Sequence, residues 1–117
     1  MKNGLSILLA TITTTIFISA CSPSDNNANI PKEPVALSAE LSSIYQRSCK
    51  NCHEIPATSA PQTGDIAQWN KILGQGMETV LDHAMSGYRG MPSSGQCFDC
   101  TPEQIEILIT YMSNPKK

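Results

Sequence analysis

The sequence predicts an all-α fold of about four short helices closed around a bound group. Three observations lead there. Apolar residues recur at three- and four-residue steps in four separate segments. No segment has the two-residue alternation of a strand or the turn chemistry of a hairpin. Once the N-terminal extension is set aside, the part that folds, from near Leu37 to near Ser113, has fewer than 80 residues, and a core that small usually needs a disulfide, a metal or a cofactor. A chain of 117 residues has room for one such domain plus extensions.

The extension comes first. Met1-Lys2-Asn3 gives a positive start, Leu5 to Ile18 carries no charge, and Ser19-Ala20 are small, so residues 1–20 read as an export signal peptide. Leu5 to Ala20 is 16 residues, short of the roughly 20 that a spanning helix needs. Ile18-Ser19-Ala20-Cys21 resembles a bacterial lipobox, which makes Cys21 a lipidated mature N-terminus. The alternative is an ordinary signal peptide cut nearby, with Cys21 left as a stray thiol open to unwanted coupling in an oxidising compartment. Acyl chains on Cys21 would hold the protein stably on the periplasmic side of a membrane. Ser22, rather than Asp, after Cys21 favours the outer membrane in enteric-type sorting.

Residues 21–36 then form a flexible tether, because Ser22 to Val35 has three prolines, three asparagines and no aromatic residue. Without Lys2, seven basic and ten acidic side chains are left, a formal charge of −3 that argues against nucleic acid as a partner.

The folded domain is expected over residues 37–117. Leu37, Leu41, Ile44 and Tyr45 share one face of a first helix that Ser38 caps, with Glu40 in its first turn, and that delivers Cys49 and Cys52 at its end. A second helix starts at Asp65, buries Ile66, Trp69, Ile72 and Leu73, and ends at Gly74 and Gly76. A third runs from about Met77 to Ser86, with Met77, Val80, Leu81, Ala84 and Met85 on its apolar face and His83 on its polar side, which reads as a solvated histidine. The last opens with Thr101-Pro102-Glu103-Gln104, a capping pattern with proline at the first helical position, and buries Ile105, Leu108, Ile109 and Met112.

Cys49-Lys50-Asn51-Cys52-His53 carries the chemistry. At this spacing two thiols can bond covalently to the vinyl groups of a haem while the following histidine ligates its iron. A haem that moves electrons rather than binding oxygen or peroxide needs a sixth ligand, and Met91 is the best candidate. It lies 38 residues after His53 in Gly87-Tyr88-Arg89-Gly90-Met91-Pro92, whose glycines and proline make a loop able to approach a flat macrocycle. Met77, Met85 and Met112 fall on apolar helical faces and read as core.

Cys97 and Cys100 are an even pair in an exported chain, which suggests a disulfide between Met91 and the last helix. A competing reading joins Cys49, Cys52, Cys97 and Cys100 as a structural zinc site in a lipoprotein. Its gap of 44 residues between knuckles exceeds the usual 15 to 20 or so, and it leaves His53 unexplained. A third reading leaves Met91 unbound and makes the protein a five-coordinate haem sensor or peroxidase-like enzyme.

Cys49-Lys50-Asn51-Cys52-His53, Ala60-Pro61, Gly64-Asp65, Trp69, His83-Ala84, Gly87, Met91-Pro92, Gly95-Gln96-Cys97-Phe98-Asp99-Cys100 and Tyr111-Met112 together resemble cytochrome c5, of the class I c-type cytochromes. The likeness covers nearly all of the folded part, and its most specific element is the Cys-x-x-Cys pair just after Met-Pro. It implies a small class I cytochrome c fold around one covalent haem c, His53 and Met91 as axial ligands, a Cys97–Cys100 disulfide, and packing of the first helix on the last near Tyr45 and Tyr111. By the same resemblance, the Pro61 carbonyl would accept a hydrogen bond from the ligand histidine. Trp69 would either reach a haem propionate or fill the core. The chain departs from the family at Glu54 to Ser59, where glycines are usual. The expected function is one-electron transfer, without enzymatic turnover, by a monomer that meets its redox partners through a small, weak contact.

Overall fold

The computed structural model describes residues 31–116. The expected signal peptide and Cys21 lie outside the described residues. Helix α1 (Ala39–Ile44) begins at Ser38, whose hydroxyl accepts from the Leu41 amide at 3.2 Å. It passes without a break into a π-helical turn, Tyr45–Cys49, and then into α2 (Lys50–His53). The sequence predicts a plain α-helix here, and the wide turn is a departure from it. The Lys50 amide reaches back to the Tyr45 carbonyl rather than to that of Gln46, so the buried face slips by one residue. That slip turns Cys49 and His53 inward and leaves Cys52 exposed.

Helix α3 (Ile66–Leu73) is capped by Asp65, which accepts from the Gln68 amide at 3.0 Å. Trp69 and Leu73 are buried as expected, but Ile66 is 51% exposed, because the first residue of the helix projects beyond the core. Helix α4 (Met77–Ser86) buries Val80 and Ala84 and stops at Gly87, whose φ of 88° suits glycine. Helix α5 (Pro102–Ser113) carries the full capping box, with Gln104 donating its amide to Thr101 and returning a side-chain bond to the Thr101 backbone. It buries Ile105, Leu108, Ile109 and Met112.

These helices share one apolar core. Tyr45 meets Tyr111 edge to face, ring centroids 5.1 Å apart, which joins the first helical run to the last. Gln104 adds a hydrogen bond to Glu40 at 3.0 Å on the surface of the same contact. Among the described residues no named strand occurs, and the β-type pairing is limited to the isolated bridges Val35 with Pro115 and Tyr88 with Met91.

The first of these bridges corrects the tether reading at its last residues. The Val35 amide donates to Asn114 O and its carbonyl accepts from Lys116 N, both at 2.8 Å, while Asn114 Nδ2 donates to Pro31 O at 2.7 Å. Composition speaks against apolar burial here, but it does not report a backbone that finds partners some 80 residues away.

Two substitutions test this framework. Thr101→Ala removes the hydroxyl that accepts from the Gln104 amide while keeping the backbone N–H that donates to Gln104 Oε1, and should lower stability by about 1 kcal/mol, which for a domain of this size lowers the thermal midpoint by about 4–8 °C. Gly87→Ala puts a Cβ 3.1 Å from Ser93 N and 3.2 Å from Met91 O at a positive φ, so the same thermal melt should show a loss larger than about 1 kcal/mol.

Candidate functional site

The π-helical turn supplies Cys49, α2 supplies Cys52 and His53, the following loop supplies Pro61, α3 supplies Trp69, and the loop between α4 and α5 supplies Met91. All six line one cavity of about 1080 Å³, whose remaining walls include Val80, Ala84, Ile105, Leu108, Ile109 and Met112. Cys49 is buried and Cys52 is exposed, so the cavity is open to solvent on the Cys52 side.

His53 is 7% exposed, and its Nδ1 lies 2.7 Å from the Pro61 carbonyl oxygen. Burial holds the imidazole below its usual range, with the Pro61 carbonyl pulling weakly the other way. The ring is therefore neutral near pH 7, with Nδ1 donating and Nε2 left to accept or ligate. Burial likewise pushes the Cys49 thiol up to about 11, only partly offset by the nearby Arg47 charge.

The loop beside His53, where the chain departs from the resemblance, has its own fastenings. A short 3₁₀ turn, Pro56–Thr58, ends at Ser59 with φ 60°, and the Thr58 hydroxyl bonds the carbonyls of Cys52 and Ile55 at 2.7 and 2.8 Å. Thr63 N donates to His53 O at 2.7 Å. The Tyr45 hydroxyl lies 2.7 Å from Glu54 Oε1 and 2.8 Å from Thr63 Oγ1, tying the buried helix to both ends of the loop. Burial keeps that phenol well above its ordinary range, so it is a neutral donor.

Trp69 is 3% exposed, and its indole N–H donates to Gln62 O at 2.9 Å. Trp69 is thus a wall residue whose one donor is already paired, which matches the core-filling alternative. His83 also corrects its reading as a solvated residue: it is half-buried, lines the cavity and stacks on Tyr88 with ring centroids 3.9 Å apart. Lys71 and Arg89 line the cavity too, and nothing in the sequence singled them out.

Cys97 and Cys100 stand just behind the wall formed by Ser94, Gly95 and Gln96. Their sulfurs meet as a disulfide, with Cα atoms 5.4 Å apart. Arg47 reaches this corner, 3.8 Å from Cys97 Sγ and 3.6 Å from Asp99 Oδ2. Among the described residues these two cysteines cluster only with Asp99, and Cys49 and Cys52 do not join them, so the four sulfurs that a zinc site needs do not converge.

The donor set fits haem c. Two thiols sit at the required spacing, one imidazole has a free Nε2, and one thioether faces the same apolar space. Among the described residues, no acidic one lines the cavity while two cationic ones do, which suits a group that carries carboxylates.

Comparison with known proteins agrees. A family model described as cytochrome C oxidase, cbb3-type, subunit III matches residues 36–112. Cytochrome c-555 of Prosthecochloris aestuarii is 33% identical over 79 residues, 61% of this chain and 80% of that protein. Cytochrome c5 of Ectopseudomonas mendocina is 33% identical over 72 residues, 60% of this chain and 83% of that protein, and cytochrome c5 of Azotobacter vinelandii is 31% identical over a similar span. With the helical fold and the fitted donor set, the chain belongs to the family of that model and is a monohaem class I c-type cytochrome carrying one covalently bound haem c.

Proposed function

We propose that this protein is a one-electron carrier on the periplasmic side of a bacterial membrane, held there by acyl chains on Cys21. The observation that carries the electron-transfer reading is the meeting of His53 and Met91, an imidazole and a thioether, in the cavity that also holds Cys49 and Cys52. Bound there, haem c supplies an iron that takes up and releases one electron. Cys49 and Cys52 would hold the group as thioethers, His53 and Met91 would ligate its iron, and the Pro61 carbonyl would fix the orientation of the His53 ring. A methionine ligand raises the reduction potential relative to two histidines. Both ligand-bearing segments are fastened by backbone hydrogen bonds, at Thr63 to His53 and at Tyr88 to Met91, so neither has to move when charge changes.

With two protein ligands no position is open for a substrate, which supports a carrier rather than an enzyme. The Cys97–Cys100 disulfide belongs to this reading as the strut behind the Met91 loop. Electrons pass at the solvent-open side near Cys52, to and from protein partners that dock weakly on an acidic monomer and present basic surfaces in return. Anchoring and location rest on the lipobox-like Ile18-Ser19-Ala20-Cys21 and on the charge-free run before it; Ser22 supports the outer membrane.

A second reading draws on His83 and Arg89, which line the same cavity and could serve a peroxide-reactive, five-coordinate haem. Both are engaged with the Tyr88 ring, which favours the first reading.

An optical spectrum of the matured protein decides between them. A low-spin spectrum with the near-infrared sulfur-to-iron charge-transfer band, lost in Met91→Ala, is expected; a high-spin wild-type spectrum that shifts with carbon monoxide would favour the second reading. Cys21→Ser should move the protein from the membrane fraction to the soluble periplasmic fraction, and unchanged membrane retention would sink the lipid anchor.

A further inference from the structure

The segment between α4 and Met91 holds more contacts than a connecting loop needs. Tyr88 and Met91 exchange both of their backbone hydrogen bonds, at 3.1 and 3.0 Å, so the backbone of Met91 goes where that of Tyr88 goes. The Tyr88 ring lies nearly parallel to His83, at an interplanar angle of 11° and a centroid separation of 3.9 Å. The Arg89 guanidinium stands 5.2 Å from the centre of the same ring. Tyr88 is nonetheless 44% exposed, so burial in the core does not account for where it sits.

The backbone carries a cost here. Arg89 has φ 54°, a conformation that favours glycine, while the glycine beside it, Gly90, is not at positive φ. A two-residue turn with its glycine in the easier place retains local strain, and such strain persists where the surroundings demand it. What the surroundings gain is a cation beside the Tyr88 ring. Downstream of Met91, the Ser93 hydroxyl donates to Ser86 O at 2.9 Å, a second fastening to the end of α4.

We propose that His83, Tyr88 and Arg89 form a latch that holds the Met91 loop against α4 and so keeps the Met91 thioether on the iron. These are positioning residues, acting through the backbone of Met91 rather than as ligands. The proposal rests on Met91 being the axial ligand. It assigns a role to a histidine whose helical register alone reads as solvated, and to a tyrosine and an arginine that no motif marks.

Imidazole competes with a bound methionine for the sixth position, so its titration into the ferric protein reads how firmly Met91 is held. Tyr88→Ala and His83→Ala should each bind imidazole about tenfold more tightly than wild type and show a weaker near-infrared sulfur band and a shifted midpoint potential. Tyr88→Phe, which keeps the stack, should stay within about twofold of wild type. His83 lies outside the buried core, so its replacement tests the latch even if Tyr88→Ala folds poorly. Met91→Ala is the reference. If Met91→Ala loses the sulfur band while His83→Ala binds imidazole like wild type, the latch is overturned and the ligand assignment stands; if Met91→Ala keeps the band, the ligand assignment and the latch fall together.

Discussion

Eight of the twelve residues in the buried core, Cys49, Trp69, Val80, Ala84, Ile105, Leu108, Ile109 and Met112, are also walls of the cofactor cavity. A domain this small therefore has no core independent of its site. The apolar surface that drives the helices together is the surface that receives the haem, and covalent capture makes that contribution permanent. The helix caps, the edge-to-face tyrosines and the Val35 pairing with Asn114 and Lys116 add to this arrangement at its margins.

Charge follows the same division. The chain is acidic, with ten carboxylate side chains against eight basic ones, yet among the described residues none of the acids faces the cavity. Glu54, next in sequence to His53, turns away to Tyr45 and stands 3.8 Å from Lys50. Negative charge beside the iron would favour its oxidised form. Placed outside, the acids instead give the surface its negative sign without bringing that charge to the site.

The segments that carry His53 and Met91 are built differently. His53 ends a helical run, and its ring is oriented by a loop that Thr58, Thr63 and Tyr45 tie down. Met91 stands on irregular backbone between two helices, with positive φ at Gly87, Arg89, Ser94 and Gly95 on either side. Such a loop needs external fastening, which the stack on His83, the Ser93 bond to Ser86 and the Cys97–Cys100 corner provide. The His53 imidazole is the more rigidly held of the two by construction, and the Met91 thioether depends on its neighbours.

The local sequence alone determined the four helical stretches, their caps at Ser38, Asp65 and Thr101, the buried faces of α4 and α5, and the spacing of Cys49, Cys52 and His53 that haem c requires. Each is set by residues within about four positions of one another, where periodicity and capping chemistry are legible. Tertiary structure decided what depends on distant partners. The π-turn at Tyr45–Cys49 has no glycine or proline to announce it and follows from fitting Cys49 and His53 to one wall. Trp69 gives its N–H to Gln62 because both are folded onto the same loop, and Val35 is ordered by α5's end. His83 reads as a surface residue from its helical register, and only the return of the chain at Tyr88 covers it. Helix register fixes which way a side chain points, but what it meets there is set by the long-range closure of the chain.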